Sequence, residues 1–542
     1  MSDLLRIGAS GLNAAYAQLQ NAGQNIANAA TPGYVRREVQ LSENRNVGAG
    51  MVSGSGVDVT GVRRVYDQFL SREAVNTQSS AAQDTARSDA LQRLDAVFAD
   101  PGTGLGAAFD DMMQSFADLS SRPADASVRT AVLARVDGFA ERASSLDARL
   151  TDLRASTQGR MAGDVEQAND LLASIARINR QIGQTAGSAS APNALLDQRD
   201  TLLADLNRVV RANASFGADG TVSVTTQSGE PLVTGEQASR LSLVPDTLDA
   251  SAFDLSIARG NGTAVRVELS AVGGSLAGMA RFADDDIAAS RARLGQIVAG
   301  VAQAFNNQQA AGLDSTGAPG SPFFTVGTPT ASAASGNGGT AQLSVSIANG
   351  SAMEASDYAL AWDGSNYQLT RLADGQVNSF AALPQSIDGL TISLGSGTPA
   401  QGDRFLLRTA STVIPGLAAA MTDPQKIATA SASTTVDWAS DNLNAKALLA
   451  LGDALSVDGA SVINRYASLI GEVGTRSQSA QAASDMSLRL ADDAARSRSE
   501  LSDVNLDEEA AHLLQFQQAY AASAKVIAAA NEMFRTLLGA LG

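Results

Sequence analysis

Apolar side chains recur every seven residues at both ends of this 542-residue chain. Over residues 505–541, Leu506, Leu513, Tyr520, Ile527, Phe534 and Leu541 keep that step without a break, and Ala510, Phe516, Ala524, Ala530, Leu537 and Leu538 widen the stripe. A helix turns once per about 3.6 residues, so a strict repeat of seven holds one apolar face towards a partner with slight supercoiling. Asn505 predicts the cap of this helix, and Glu508 stands where a side chain reaches back to the cap. Asp507, Glu508 and Glu509 place negative charge at the positive end of the helix dipole. At the other end of the chain Leu5, Leu12, Leu19 and Ile26 stand seven apart, with Ala15, Tyr16 and Ala22 alongside. That helix is predicted to stop at Asn28, because Pro32 cannot continue it and Gly33 supplies a turn. An amphipathic helix packs readily onto its own globular body. Two matched terminal seams nevertheless predict that the two helices meet each other.

Between these ends the texture changes several times. A glycine-rich turn at 48–56 precedes the alternation Val57, Val59, Val62, a short strand leading into a helix. Residues 62–211 read as mostly helical, with breaks at 100–106 and at Arg122–Pro123. Val165, Ala168, Leu172, Ile175 and Ile182 keep a heptad that Asn179 interrupts, as in a helix hairpin or bundle. Leu195, Leu196, Leu202, Leu203 and Leu206 form one core face, with the charges between them solvated or paired. After Arg211, short alternating runs separated by Gly, Asn and Asp predict antiparallel strands. Helix returns over 284–311, strands over 341–409 as a separate inserted β domain, and helix again over 459–500. The predicted class is mainly α with inserted β: terminal coiled-coil helices, an elongated helical bundle and antiparallel β domains. They nest so that N- and C-terminal segments share the inner layers. The expected segments are 1–35 paired with 505–542 as an inner tube; helical halves 36–210 and 411–504; a β-rich segment 211–283; helix and loop 284–324; and an outer β domain 325–410.

Composition narrows the chemistry. The net charge is −17 and basic residues form no run, so nucleic acid is not an expected partner. Without cysteine there is no disulfide, thiolate metal site or cysteine nucleophile. An aromatic content of 4% suits long packed helices better than a dense enzyme core. No apolar run approaches the roughly 20 residues of a membrane helix, so no membrane insertion is expected. The opening residues lack the pattern of a cleaved signal peptide. His512 is the sole histidine, and none of Lys426, Lys446 and Lys525 follows a glycine, which removes a phosphate-binding loop. Gly102 to Gly106 reads as a turn, Asp284–Asp286 as an acidic helix start, and Asp492 and Asp493 as a solvated face. The sequence names no catalytic residue, no cofactor and no metal site.

Residues 10–34, SGLNAAYAQLQNAGQNIANAATPGY, closely resemble the N-terminal signature of the bacterial flagellar rod, hook and hook-associated protein family. VDVTGVRRVYDQFL (57–70), NALLDQRDTL (193–202), SDNLNAKALLAL (440–451) and VNLDEEAAHLLQFQQAYAASAKVI (504–527) resemble its hook–filament junction branch more specifically. The resemblance implies a structural subunit rather than an enzyme, exported unfolded through the flagellar type III apparatus and folding outside the cell at the distal end of the hook. The partners it implies are copies of itself in a ring, the hook protein, a second junction protein, the filament cap during assembly, and a cytoplasmic export chaperone on the C-terminal helix. The assembly interface would then be Leu5, Leu12, Leu19 and Ile26 with Leu506, Leu513, Tyr520, Ile527, Phe534 and Leu541. Two readings stand beside it: a hook or distal rod protein of the same family, and a secreted hydrolase using two carboxylates, for which only the abundance of Asp and Glu speaks.

Overall fold

The computed structural model of the chain describes residues 2–48, 51–99, 104–185, 192–260, 262–435, 437–457 and 459–541. Helix α1 (Ser2–Asn28) is followed by a long antiparallel hairpin, β1 (Arg37–Gly48) and β2 (Met51–Arg64). Most of the stretch expected to be a glycine-rich turn is therefore strand. Gly56 lies so close to α1 that a Cβ there would collide with Ser10, whose Oγ accepts the Val57 amide at 3.2 Å. The glycine permits this close approach and, at φ +112°, sits at the bulge where the register with β1 shifts. The hairpin's own turn and residues 100–103 of the expected break at 100–106 lie outside the described residues.

The body is built on α2 (Gln68–Phe98), α3 (Leu105–Ser121), the 60-residue α4 (Ala126–Thr185) and α5 (Asn193–Val209). Asp67 caps α2 through the amides of Phe69 and Leu70. Two small antiparallel sheets follow over 212–268, then α6 (Gly274–Arg281) and α7 (Ile287–Ala310). A five-stranded and a three-stranded antiparallel sheet fill 330–408. The chain then returns through α8 (Leu443–Ala454), α9 (Val462–Ser502) and α10 (Leu506–Leu541). Helix α9 runs antiparallel to α2: Thr85 bonds Ser484 at 2.9 Å and Ser88 donates to Gln481 at 3.1 Å.

Two apolar cores result. One joins α3, the first half of α4, α7, the inserted sheets and the start of α9; the other joins the second half of α4, α5, the 212–257 strands and α6. Three expectations change here. The Val165–Ile182 stripe of α4 packs on α5, the hairpin alternative, and on strands rather than within a larger bundle, and Asn179 donates 2.7 Å bonds to the carbonyls of Val222 and Gly235. A polar interruption in a helix seam is in fact a backbone clamp on a sheet. The inserted sheets share the core of the helices: Gln296 of α7 donates to the Met353 carbonyl at 2.6 Å, and Gly350 lies on the backbone of Ala299. The acidic triplet starts no helix. It lies in a π-turn (Phe282–Asp286) joining α6 to α7, with Asp286 fully buried between Arg87 (2.9 Å) and Arg476 (3.3 Å). Burial pushes the neighbouring Asp284 carboxyl up to about 6, against the pull of Arg154 at 2.9 Å.

Candidate assembly interface

Helices α1 and α10 lie against each other as an antiparallel pair, since Gly8 abuts Val526 and Ile527 while Gly11 abuts Ser523. A Cβ on Gly8 would stand 2.7 Å from Ile527 Cγ1. Small residues lie at the close approach, Gly8 against Val526 and Ile527 and Gly11 against Ser523, and Ala15, Ala22 and Ala530 of the two helices are buried. Glycines let the two backbones approach, while several large side chains stay bare. Leu4, Tyr16, Leu506, Leu514, Phe534 and Leu537 remain 42–60% exposed. Charge is almost absent too: residues 7–35 carry no ionisable acid or base except Tyr16 and Tyr34, and residues 510–531 only His512, Tyr520 and Lys525.

The ten expected interface residues divide accordingly. Leu5, Leu12, Leu19, Ile26, Leu513 and Ile527 are half-buried, whereas Leu506, Tyr520 and Phe534 are exposed and α1 does not cover them. The side chain of Leu541 lies outside the described residues. Asn505 caps α10 through the amides of Asp507 and Glu508, at 3.0 and 3.4 Å. The Glu508 carboxylate reaches Arg36 at 3.5 Å rather than turning back to the cap. His512 is half-buried and stacks on Phe516, ring centroids 5.7 Å apart.

At the elbow between this pair and the body stands a cluster that sequence reasoning left as a core face with paired or solvated charges. The Arg37 carbonyl accepts both Asn21 (2.6 Å) and Asn25 (2.9 Å), and its amide donates to Asn25 Oδ1 at 3.2 Å. Tyr34 donates to the same Oδ1 at 2.9 Å, and the Arg37 guanidinium lies 4.7 Å over the Tyr34 ring. That guanidinium also reaches Asp197 of α5 at 3.1 Å; Arg64 at the root of β2 meets Asp197 at 2.8 Å and pairs with Asp200. Arg199 holds Asp200 at 2.8 Å, lies 4.5 Å over the Phe216 ring and donates to the Gly220 carbonyl at 2.6 Å. Burial raises the Asp197 carboxyl although two guanidiniums oppose it. Gly33, at φ +79°, lies where a Cβ would collide with Thr201. The elbow thus joins the two stretches 10–34 and 193–202 that carried the family resemblance. Neither stretch announces alone that the other is its partner.

The triplet around Asp286 and the elbow cluster are rich in carboxylates, and arginines pair with Asp284, Asp286, Asp197 and Asp200. Among the described residues no group of three or more His, Cys, Asp or Glu is placed to hold a metal ion. No helix among them is long and apolar enough to cross a membrane.

Comparison with known proteins agrees with this architecture. The family model "Flagellar hook-associated protein FlgK helical domain" matches residues 91–324. "Flagellar hook-associated protein 1, D2-like domain" matches 332–409, and "Flagellar basal body rod FlgEFG protein C-terminal" matches 495–540. Flagellar hook-associated protein 1 of Escherichia coli K12 is 34% identical over 99% of this chain and 100% of its own length. The protein of that name from Bacillus subtilis is 24% identical over 98% and 96%. The solved flagellar hook junction protein FlgK of Burkholderia pseudomallei superposes with a TM-score of 0.73 at 21% identity, covering 79% of this chain and 99% of that one, which shows the fold. With a full-length relative at that identity and domain models spread along its length, the chain belongs to the flagellar hook-associated protein 1 family.

Proposed function

We propose that this protein is a structural subunit of the bacterial flagellum, forming the junction between hook and filament and assembling with copies of itself through the α1–α10 pair. The observation that carries the reading is the row of large apolar side chains left bare on a pair whose closest approach is made at Gly8 and Gly11. A stable soluble helix pair buries its large side chains. One that turns them outward lacks a partner, and the near absence of charge there removes the repulsion that a net charge of −17 otherwise sets between copies. Leu506, Tyr520 and Phe534 are then contacts between copies, while Leu5, Leu12, Leu19, Ile26, Leu513 and Ile527 hold the pair together and complete the same seam. The inserted sheets form the outer surface. By family, the neighbours along the axis are the hook protein on one side and a second junction protein and the filament cap on the other. The route out of the cell is type III export, with a chaperone holding α10 until then.

Electron microscopy of cells lacking the gene tests the reading. Bare hooks without filaments are expected, and flagella of normal length would overturn it. A hook or distal rod role predicts a different picture, cells without complete hooks.

A further inference from the structure

We propose that the interface between copies continues from α10 onto the body, along the outward face of α9 between Ala483 and Leu501, where a second copy of this chain docks. This rests on the self-assembly reading and adds a second surface to it. Helix α9 uses one face to pack on α2: Ser484 bonds Thr85, Gln481 accepts from Ser88, and Ser487 donates to Asp84. On another face Ala483, Met486, Leu490 and Ala494 follow at steps of three and four, with Leu501 two turns on, and they form an apolar stripe. Met486 is 57% exposed, Leu490 54% and Leu501 40%. By the antiparallel register Phe69 of α2, the barest large side chain of the body, stands level with Leu501. Elsewhere the body is closed: among the described residues α3, α4 and α5 leave no large apolar side chain exposed to that extent, although α4 alone runs for 60 residues. Single bare side chains are normal on a soluble protein, whereas a row confined to one helix face marks a surface that is covered in use.

Two observations name a second copy as what covers the stripe. The first is continuity. Helix α9 ends at Ser502 and α10 begins at Leu506, so the row passes from Leu501 to Leu506 and runs on through Leu514, Tyr520 and Phe534. A neighbour laid along α10 is thereby brought against α9. The second is charge. Over residues 483–501, Asp485, Asp492, Asp493 and Glu500 stand against Arg489, Arg496 and Arg498, a net of −1 in a chain of −17. Along one flank of the stripe the signs alternate through Asp485, Arg489, Asp492, Arg496 and Glu500, and Arg489, Asp492 and Glu500 form no ion pair with another described residue. A strongly acidic or strongly basic partner would find part of that flank opposed to it. A copy of the chain with the same mixed surface does not, and the self-repulsion that the net charge sets elsewhere is absent here.

The chain carries its own probes. Met486 lies in the stripe and Met533, 44% exposed, lies on α10, while Met112, Met161, Met279, Met353 and Met421 are buried. Dilute hydrogen peroxide transfers one oxygen to an accessible thioether, giving the sulfoxide and water. In the free full-length chain Met486 and Met533 should both be oxidised and the five buried methionines spared, as read by peptide mass spectrometry. In flagella detached from cells with their hooks, Met486 and Met533 should both lose that reactivity. Met533 spared with Met486 oxidised as in the free chain overturns the proposal and leaves the self-assembly reading standing; both oxidised overturns the two together. What covers the stripe is read by placing the photoreactive residue p-benzoylphenylalanine at position 490, whose leucine is exposed and therefore replaceable without disturbing a core. Irradiated flagella should yield an adduct of twice the chain's mass that contains peptides of this chain alone. An adduct with any other protein, or none, overturns the proposal.

Discussion

Gly8 and Gly23 lie on the same helix and test the close seam against each other. Replacing a helical glycine by alanine gains about 1 kcal/mol of backbone propensity wherever there is room. At Gly23 nothing stands within 4 Å of the new Cβ, so the gain should be fully expressed. At Gly8 the new carbon would lie 2.7 Å from Ile527 Cγ1 and 3.4 Å from Val526 Cγ1. Carbon atoms rest at about 3.5–4.0 Å, so the helices must separate or Ile527 must leave its rotamer. Overpacking of that kind costs about 1–3 kcal/mol. The steric term therefore cancels the propensity gain or exceeds it by up to about 2 kcal/mol. Amide hydrogen exchange along α1 reads the local opening free energy directly. Gly23→Ala should slow exchange about fivefold, and Gly8→Ala should leave it unchanged or speed it up to about thirtyfold, at about 1.4 kcal/mol per tenfold. Equal protection in the two variants would refute the close approach of α1 and α10.

Three further outcomes follow from other contacts. Ile527→Asp places a carboxylate in the seam at a cost of several kcal/mol; swimming should be lost and filament protein should appear in culture supernatant, while Gln517→Glu on the exposed face should swim normally. Asp284, held at about 6, binds its proton more tightly folded than unfolded, so it adds stability as pH falls from 7 towards 4 and withdraws it as pH rises through 6. At full strength that shift is worth about 3 kcal/mol; the 35% exposure of the side chain reduces it to about 1 kcal/mol. Comparing the thermal midpoints of the parent and Asp284→Asn at pH 5 and pH 7.5 should show a smaller pH dependence in the variant, and an equal dependence would discard the assignment. Excision of residues 341–409 should unfold the helical body rather than spare it, because the inserted sheets and α7 share one core, and an unchanged melting curve would contradict that.

What the sequence disclosed and what it hid follow one physical divide. Helix ends written in local chemistry were legible: the stop after Asn28, the Asn505 cap, the end of α3 before Arg122–Pro123. So was the alternation that marks the strands after Arg211. What was hidden depends on which distant surfaces meet. The β1–β2 hairpin looked like a turn because one of its glycines, Gly56, answers to α1 rather than to its chain neighbours. The Asp284–Asp286 triplet looked like a helix start because its arginines, at 87, 154 and 476, are far away in sequence. Asp197 and Asp200 looked like solvated or paired charges because Arg37 and Arg64 reach them across more than a hundred residues. The seven-residue step located the terminal helices, but two overlapping steps run along α10. Only the structure separates the residues that meet α1 from those left bare.

The bare residues also bear on how assembly begins. Among the described residues the terminal pair leaves ten large apolar side chains exposed by 37–60%, three on α1 and seven on α10. Full burial of such a side chain is worth about 1.5–3 kcal/mol, so covering the exposed half of each is worth about 7–15 kcal/mol per chain. Association of two proteins costs about 4–15 kcal/mol in lost freedom before any surplus appears. A single neighbour covers one flank of the pair, and its share of the burial is then spent on the cost of joining. A neighbour on each flank, with a further layer below, covers all of it while each chain is immobilised once. Two free chains should therefore remain apart at concentrations where a chain adds readily to an existing end. The type III export proposed above is served by that threshold, which keeps free copies apart until they reach an existing end.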